Sequence, residues 1–152
     1  MKGLTLTFIL SLLLASLSAC SPFVQSGATP TPLPPSIPLS SYEPQPGDAK
    51  LQPDQVYINV ENSRVVIEES MPAQVSLVLN GNLSDPCHKL RVVVTPADTQ
   101  KEIRLDAYSI YDPKEVCITM IQPFNATIPL GSYAGGHFTV FVNDQLVGEF
   151  DA

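Results

Sequence analysis

The stretch F-T-V-F-V-N-D-Q-L-V-G-E-F, Phe138 to Phe150, decides how this chain is read. Phe138, Val140 and Val142 fall at every second position, as the buried face of a pleated strand requires. Asn143-Asp144-Gln145 then separates this run from Leu146 to Phe150, so the last two runs should form a hairpin. The same period recurs upstream. Val56, Ile58 and Val60 alternate with Tyr57 and Asn59; Val65 and Ile67 follow, then Val75, Leu77 and Leu79, then Leu90, Val92 and Val94. Ile103, Leu105 and Ala107 alternate with Arg104 and Asp106, and Thr127 to Leu130 reads as a short further run. No window carries the i, i+3, i+4, i+7 spacing of an amphipathic helix.

Turn chemistry punctuates these runs. Asn62-Ser63, Met71-Pro72, Asn80-Gly81-Asn82, Ser84-Asp85-Pro86, Thr95-Pro96-Ala97-Asp98 and Tyr111-Asp112-Pro113-Lys114 are the expected breaks. Gly135 and Gly136 are expected to serve backbone geometry, because positive φ is cheap only for Gly. The expectation is an all-β, antiparallel, immunoglobulin-like sandwich of about seven to nine short strands. Ile128 to Asp144 also resembles the ending of many bacterial exported sandwich domains: a Gly-bearing loop, an aromatic, alternating apolar residues and an Asn-led turn.

The N-terminal part has a different composition. Lys2 is followed by an uncharged apolar stretch from Leu4 to Leu17, too short to span a bilayer, for which about 20 apolar residues are needed. Leu17-Ser18-Ala19-Cys20 then resembles the lipobox of bacterial lipoproteins. The resemblance implies that Cys20 receives a diacylglyceryl thioether and becomes the first mature residue. It also implies a lipid-anchored protein on the extracytoplasmic face of the cell membrane or envelope. Between Ser21 and about Leu51 lie eight prolines interleaved with Thr, Ser and Gly. Such a segment cannot bury a core and favours extended polyproline II, a disordered semi-rigid spacer. The chain therefore divides into a leader over 1–19, Cys20 with a proline-rich linker through residue 51, and a folded domain over 52–152.

With Cys20 assigned to lipid, Cys87 and Cys117 are left as the intramolecular pair expected of an oxidising compartment, closing a loop of about 30 residues. A metal or redox pair is the alternative, with only His88 nearby and a spacing far from C-x-x-C.

The 152 residues hold 15 acidic and 8 basic side chains. That balance argues against nucleic acid and against adsorption to anionic lipid. His88 and His137 read as surface or loop histidines, and no nucleophile motif surrounds either. Asp106, Asp112 and Glu115 lack calcium-loop spacing, and Met120 sits in an apolar run that reads as core. No catalytic residue, metal or cofactor is expected. What remains is a membrane-anchored, non-catalytic module binding a protein or glycan, with Tyr108, Tyr111 and Tyr133 as candidate binding-loop residues. The alternative is a protease inhibitor of the cell envelope, acting through Tyr108-Ser109-Ile110-Tyr111 or Ser132-Tyr133-Ala134-Gly135.

Overall fold

The structure is a computed structural model that describes residues 41–152. Its nine strands are β1 (Gln52–Asp54), β2 (Tyr57–Ile58), β3 (Arg64–Glu68), β4 (Ala73–Leu83), β5 (Lys89–Thr95), β6 (Glu102–Tyr111), β7 (Gln122–Tyr133), β8 (His137–Val142) and β9 (Gln145–Asp151). They form two sheets, β1, β5, β6, β8 and β9 in one and β2, β3, β4 and β7 in the other. Leu77, Leu79, Ile103, Leu105, Ile128, Leu130, Val140 and Val142 lie fully buried between them. Six of the eight follow the period of two of their runs, Ile128 and Leu130 lie in the stretch expected only as a short run, and each such burial contributes about 1.5–3 kcal/mol against the ordering entropy. The domain is the expected β-sandwich.

Each sheet is built on one long strand. Along one edge of β6, β5 pairs over most of its length. Along the other edge β8 pairs with residues 102–105 and β1 with residues 109–111. In the second sheet β4 has the same arrangement, with β7 along one edge and β2 and β3 dividing the other.

Six pairings are antiparallel; β6 with β8 is parallel, which departs from the expected all-antiparallel sandwich. The chain leaves β6, crosses to the other sheet as β7 and returns in the original direction, so a parallel neighbour results.

Several local expectations are corrected. Val56 to Val60 is not one strand: the chain crosses from one sheet to the other at Gln55 and Val56, and Val60–Asn62 is a 3-10 turn. Asn59 closes that turn by accepting a hydrogen bond from the Asn62 N–H at 3.2 Å. Asn80-Gly81-Asn82 is no turn but the interior of the 11-residue β4. Asn80 donates to the Asn62 carbonyl at 2.6 Å and accepts from the Asn125 amide at 2.7 Å, so tertiary partners override its turn preference. Thr127 to Leu130 belongs to the 12-residue β7.

The folded body also begins earlier than Gln52. The Val92 N–H donates to the Tyr42 carbonyl at 2.8 Å, and a 3-10 turn at Pro46–Lys50 brings Asp48 onto Arg91. The segment thereby covers part of the outer edge of β5, which would otherwise present unpaired backbone groups.

The final hairpin is as expected. Asn143 and Asp144 form its two-residue turn with φ of 48° and 63°, and Gly135 and Gly136 have φ of 72° and 126°.

Candidate binding site

The gap along the edge of β6 creates a broad depression. Because β8 stops at Leu105 and β1 starts at Ser109, no strand covers Ala107 and Tyr108 on that side. The cleft holds about 670 Å³, within the range of small-ligand sites. Ala107 and Tyr108 form its floor; Asn143 and Gln145 of the β8–β9 hairpin form one lip, and the crossover from Pro53 to Ile58 forms the other. Gln55, Val56 and Tyr57 also wall a neighbouring depression of about 490 Å³ that reaches Ser84 and Ile121.

Beside that second depression runs a segment that the core leaves out. Val116, Ile118, Met120 and Ile121 are all exposed, Val116 almost completely, in the connection between β6 and β7. This corrects the reading of Met120 as core. The segment has no polar alternation to turn one face inward, and Cys117 ties it to Cys87. The Cys87–Cys117 disulfide is present, with Cα atoms 6.0 Å apart.

The tyrosines do not converge. Tyr133 is buried, packed with Phe138 and Phe150, and its hydroxyl donates to the Leu130 carbonyl at 2.9 Å. It is a core residue rather than a binding-loop one. Phe138 lies beneath Lys101, which precedes β6, whereas Tyr111 ends β6. At about 3.3 Å per residue, that places Tyr133 and Tyr111 at opposite ends of the sandwich. Tyr108 through Tyr111 is strand, as are Ser132 and Tyr133, whereas Ala134 and Gly135 lie in the turn between β7 and β8, so only the second half of the second candidate inhibitory phrase is loop. Tyr108 alone reaches the cleft. Cys20 lies outside the described residues.

His88 lies in the loop before β5, one of its two expected settings, but is not at the surface. It is 9% exposed, its Nδ1 is 2.8 Å from Asp85, its Nε2 is 3.3 Å from Asp54, and its ring stacks on Tyr111 at 4.7 Å. The His88 hydrogen bond holds the Asp85 carboxyl below the usual carboxylate range. The nearby Ser84 hydroxyl donates to Asp54 at 3.1 Å, so it meets a carboxylate and not the imidazole. His137 is exposed between Glu149 and Asp151.

Among the described residues the one grouping with metal-ligand proximity is Asp85, Cys87 and Cys117. Its sulfurs are bonded to each other, and the thiolate is the form that binds metal. No helix among the described residues is long and apolar enough to cross a membrane.

Gln55, Tyr57 and Gln145 had no motif to announce them. The cleft depends on where two strands stop along a third, which no local pattern encodes. The exposed segment did leave a signal: Val116 to Ile121 is apolar without alternation and follows Pro113 closely.

Fold and site together define a two-sheet β-sandwich module with an edge cleft and a disulfide-pinned apolar segment. The ORF11 beta-sandwich domain family matches residues 77–152, and the chain belongs to that family. Relatives in Herpetosiphon aurantiacus include the "Uncharacterized 10.2 kDa protein in HgiCIIM 5'region", 31% identical over 86 residues, which cover 56% of this chain and 90% of the relative. The "Uncharacterized 10.2 kDa protein in HgiBIM 5'region" is 33% identical over 79 residues, covering 49% of this chain and 92% of the relative. No solved structure gives a significant match. Ala107, Tyr108, Asn143 and Gln145 fall inside the family match, whereas the Pro53–Ile58 lip precedes it.

Proposed function

We propose that this protein is an exported lipoprotein, anchored through Cys20, that presents its β-sandwich as a non-catalytic binding module on the extracytoplasmic side of the membrane. The observation that carries the binding reading is the Val116–Ile121 segment. Four large apolar side chains stand in solvent on a connection braced by a disulfide, while the core between the sheets is complete without them. Exposed apolar surface of this kind favours a protein partner, whose contact would remove it from water.

The anchoring reading rests on Leu17-Ser18-Ala19-Cys20 and is supported by a disulfide suited to an oxidising compartment. The non-catalytic reading is supported by His88, whose two ring nitrogens both face carboxylates and whose faces are closed by burial and Tyr111.

Two measurements test these parts separately. Intact mass and membrane fractionation of the full-length protein should show a lipid-sized gain and membrane partition, both lost in Cys20→Ala. A soluble product with a free thiol sinks the anchor. For binding, a photo-crosslinking residue at Ile118 of the anchored protein should trap a discrete envelope protein. The same residue at Thr99, in the turn after β5 at the other end of the domain, should not. Equal adducts at both positions, or none, would end the apolar-segment reading.

A further inference from the structure

We propose that the cleft between the β8–β9 hairpin and the β1–β2 crossover is a second site, sharing the Gln55–Tyr57 wall with the depression beside the apolar segment, that binds a short neutral saccharide. Its lining is two tyrosines, three side-chain amides and one carboxylate, with small and apolar residues between them. Tyr57 and Tyr108 supply aromatic rings on which the C–H faces of a pyranose can rest. The lining holds no Lys, Arg or His, and the chain is acidic, so a phosphate or carboxylate ligand would find no counter-charge. Arg91 stands opposite Tyr108 on β5, but two hydrogen bonds at 2.7 and 3.0 Å commit it to Asp48. A metal ion would find one carboxylate, Asp54, already engaged with the Gln55 N–H, Ser84 and His88.

The polar groups of the lining divide into two sets. Asn143 and Asp54 are committed to the protein. Both polar atoms of Asn143 bond the Ala107 main chain, at 2.8 and 2.9 Å, fixing the hairpin lip to the floor. The Ser109 hydroxyl donates to the Asp54 carbonyl at 3.3 Å, holding the crossover lip. The side chains of Gln55, Tyr57, Tyr108 and Gln145 make no hydrogen bond to any described residue. These four carry donors and acceptors together, the combination that vicinal hydroxyls need, and stand on a frame fixed by the first set.

The proposal goes beyond the apolar-segment reading, and its test separates the two. The full-length protein in detergent is titrated calorimetrically with cello-, malto-, laminari- and chito-oligosaccharides, and with an oligogalacturonate as the anionic comparison. At least one neutral series should bind with millimolar or better affinity, and the anionic one should not. Tyr57→Ala should weaken that binding by about 10-fold or more. Tyr57 is exposed, so its loss spares the core; Gln145→Ala on the opposite lip is the second variant and should also weaken binding. Ile118→Ser should leave it unchanged. Absence of neutral binding at about 10 mM ligand, preference for the anionic oligomer, or affinity lost in Ile118→Ser but retained in Tyr57→Ala each overturns the cleft assignment.

Discussion

The side chain of Asn143 continues a β-ladder after the backbone carrying it has turned away. Its main-chain N–H donates to the Leu105 carbonyl at 2.9 Å, as the next residue of a parallel strand would. Its Oδ1 then accepts from the Ala107 N–H and its Nδ2 donates to the Ala107 carbonyl, completing the edge of β6 where β8 has ended. The residue does this at φ 48°, a conformation Asn tolerates better than other non-glycine residues.

Asn143→Ala should therefore cost about 2–4 kcal/mol, from two lost hydrogen bonds and left-handed strain. Asn143→Gly keeps the turn and loses only the bonds, so it should cost roughly half as much. Urea unfolding of both variants measures the difference. An alanine variant no worse than the glycine one would mean that the turn, and not the ladder, is the residue's role.

Removing the disulfide as Cys87→Ala with Cys117→Ala should destabilise the domain by about 3.5 kcal/mol, given a sequence separation of 30 residues. Photo-crosslinking from position 118 should fall in parallel, because the bridge ties the neighbouring Cys117 to Cys87. Crosslinking that survives at full yield in a destabilised variant would detach the brace from binding.

Gly81 faces the Tyr57 carbonyl and the Phe124 ring so closely that a Cβ there cannot be accommodated without movement. Gly81→Ala should cost about 1–3 kcal/mol and, by displacing Tyr57, weaken saccharide binding. Gly47 has nothing within 4 Å, and Gly47→Ala should stay within about 0.5 kcal/mol of the parent. Comparable losses at the two positions in thermal or urea melts would contradict the close approach.

The Arg91 side chain first, and then the Gln45 N–H, hold the Asp48 carboxyl below its ordinary range; Lys89 acts in the same direction. A folded value below the unfolded one stabilises fully above the unfolded value of about 4, and that stability is lost as pH falls through the lower folded value. Urea midpoints between neutral pH and pH 3 should decline below about pH 4, and Asp48→Asn should flatten part of that decline. Superimposable acid limbs would show that the clamp on β5 has no energetic weight.

Burial raises the Tyr133 phenol above its ordinary value of about 10. The unfolded chain then ionises first, so the contribution is complete below about pH 10 and is lost as pH rises through the folded value. Tyr133→Phe should cost about 1 kcal/mol at neutral pH for the bond to Leu130, and its deficit should shrink above pH 10. Saccharide affinity should not change. A weakened affinity would return Tyr133 to the binding surface.

Several features were legible in the sequence because local chemistry carries them. The period of two at Val75–Leu79, Ile103–Ala107 and Phe138–Val142 names inward faces whatever the neighbours are. Asn143-Asp144 specifies a tight hairpin, and Gly135 and Gly136 mark backbone that other residues resist. Cys87 and Cys117 were paired by parity. Tertiary structure alone decided the rest: Tyr133 in the core, His88 between two carboxylates, Asn80-Gly81-Asn82 as strand, and the cleft itself. Alternation reports which way a side chain points and not which strand lies beside it. The cleft exists because β8 and β1, far apart in the chain, share one edge of β6 and leave a gap at Ala107 and Tyr108 that no strand fills. That sharing is set by non-local register and packing, where side-chain complementarity outweighs the preference of any short segment.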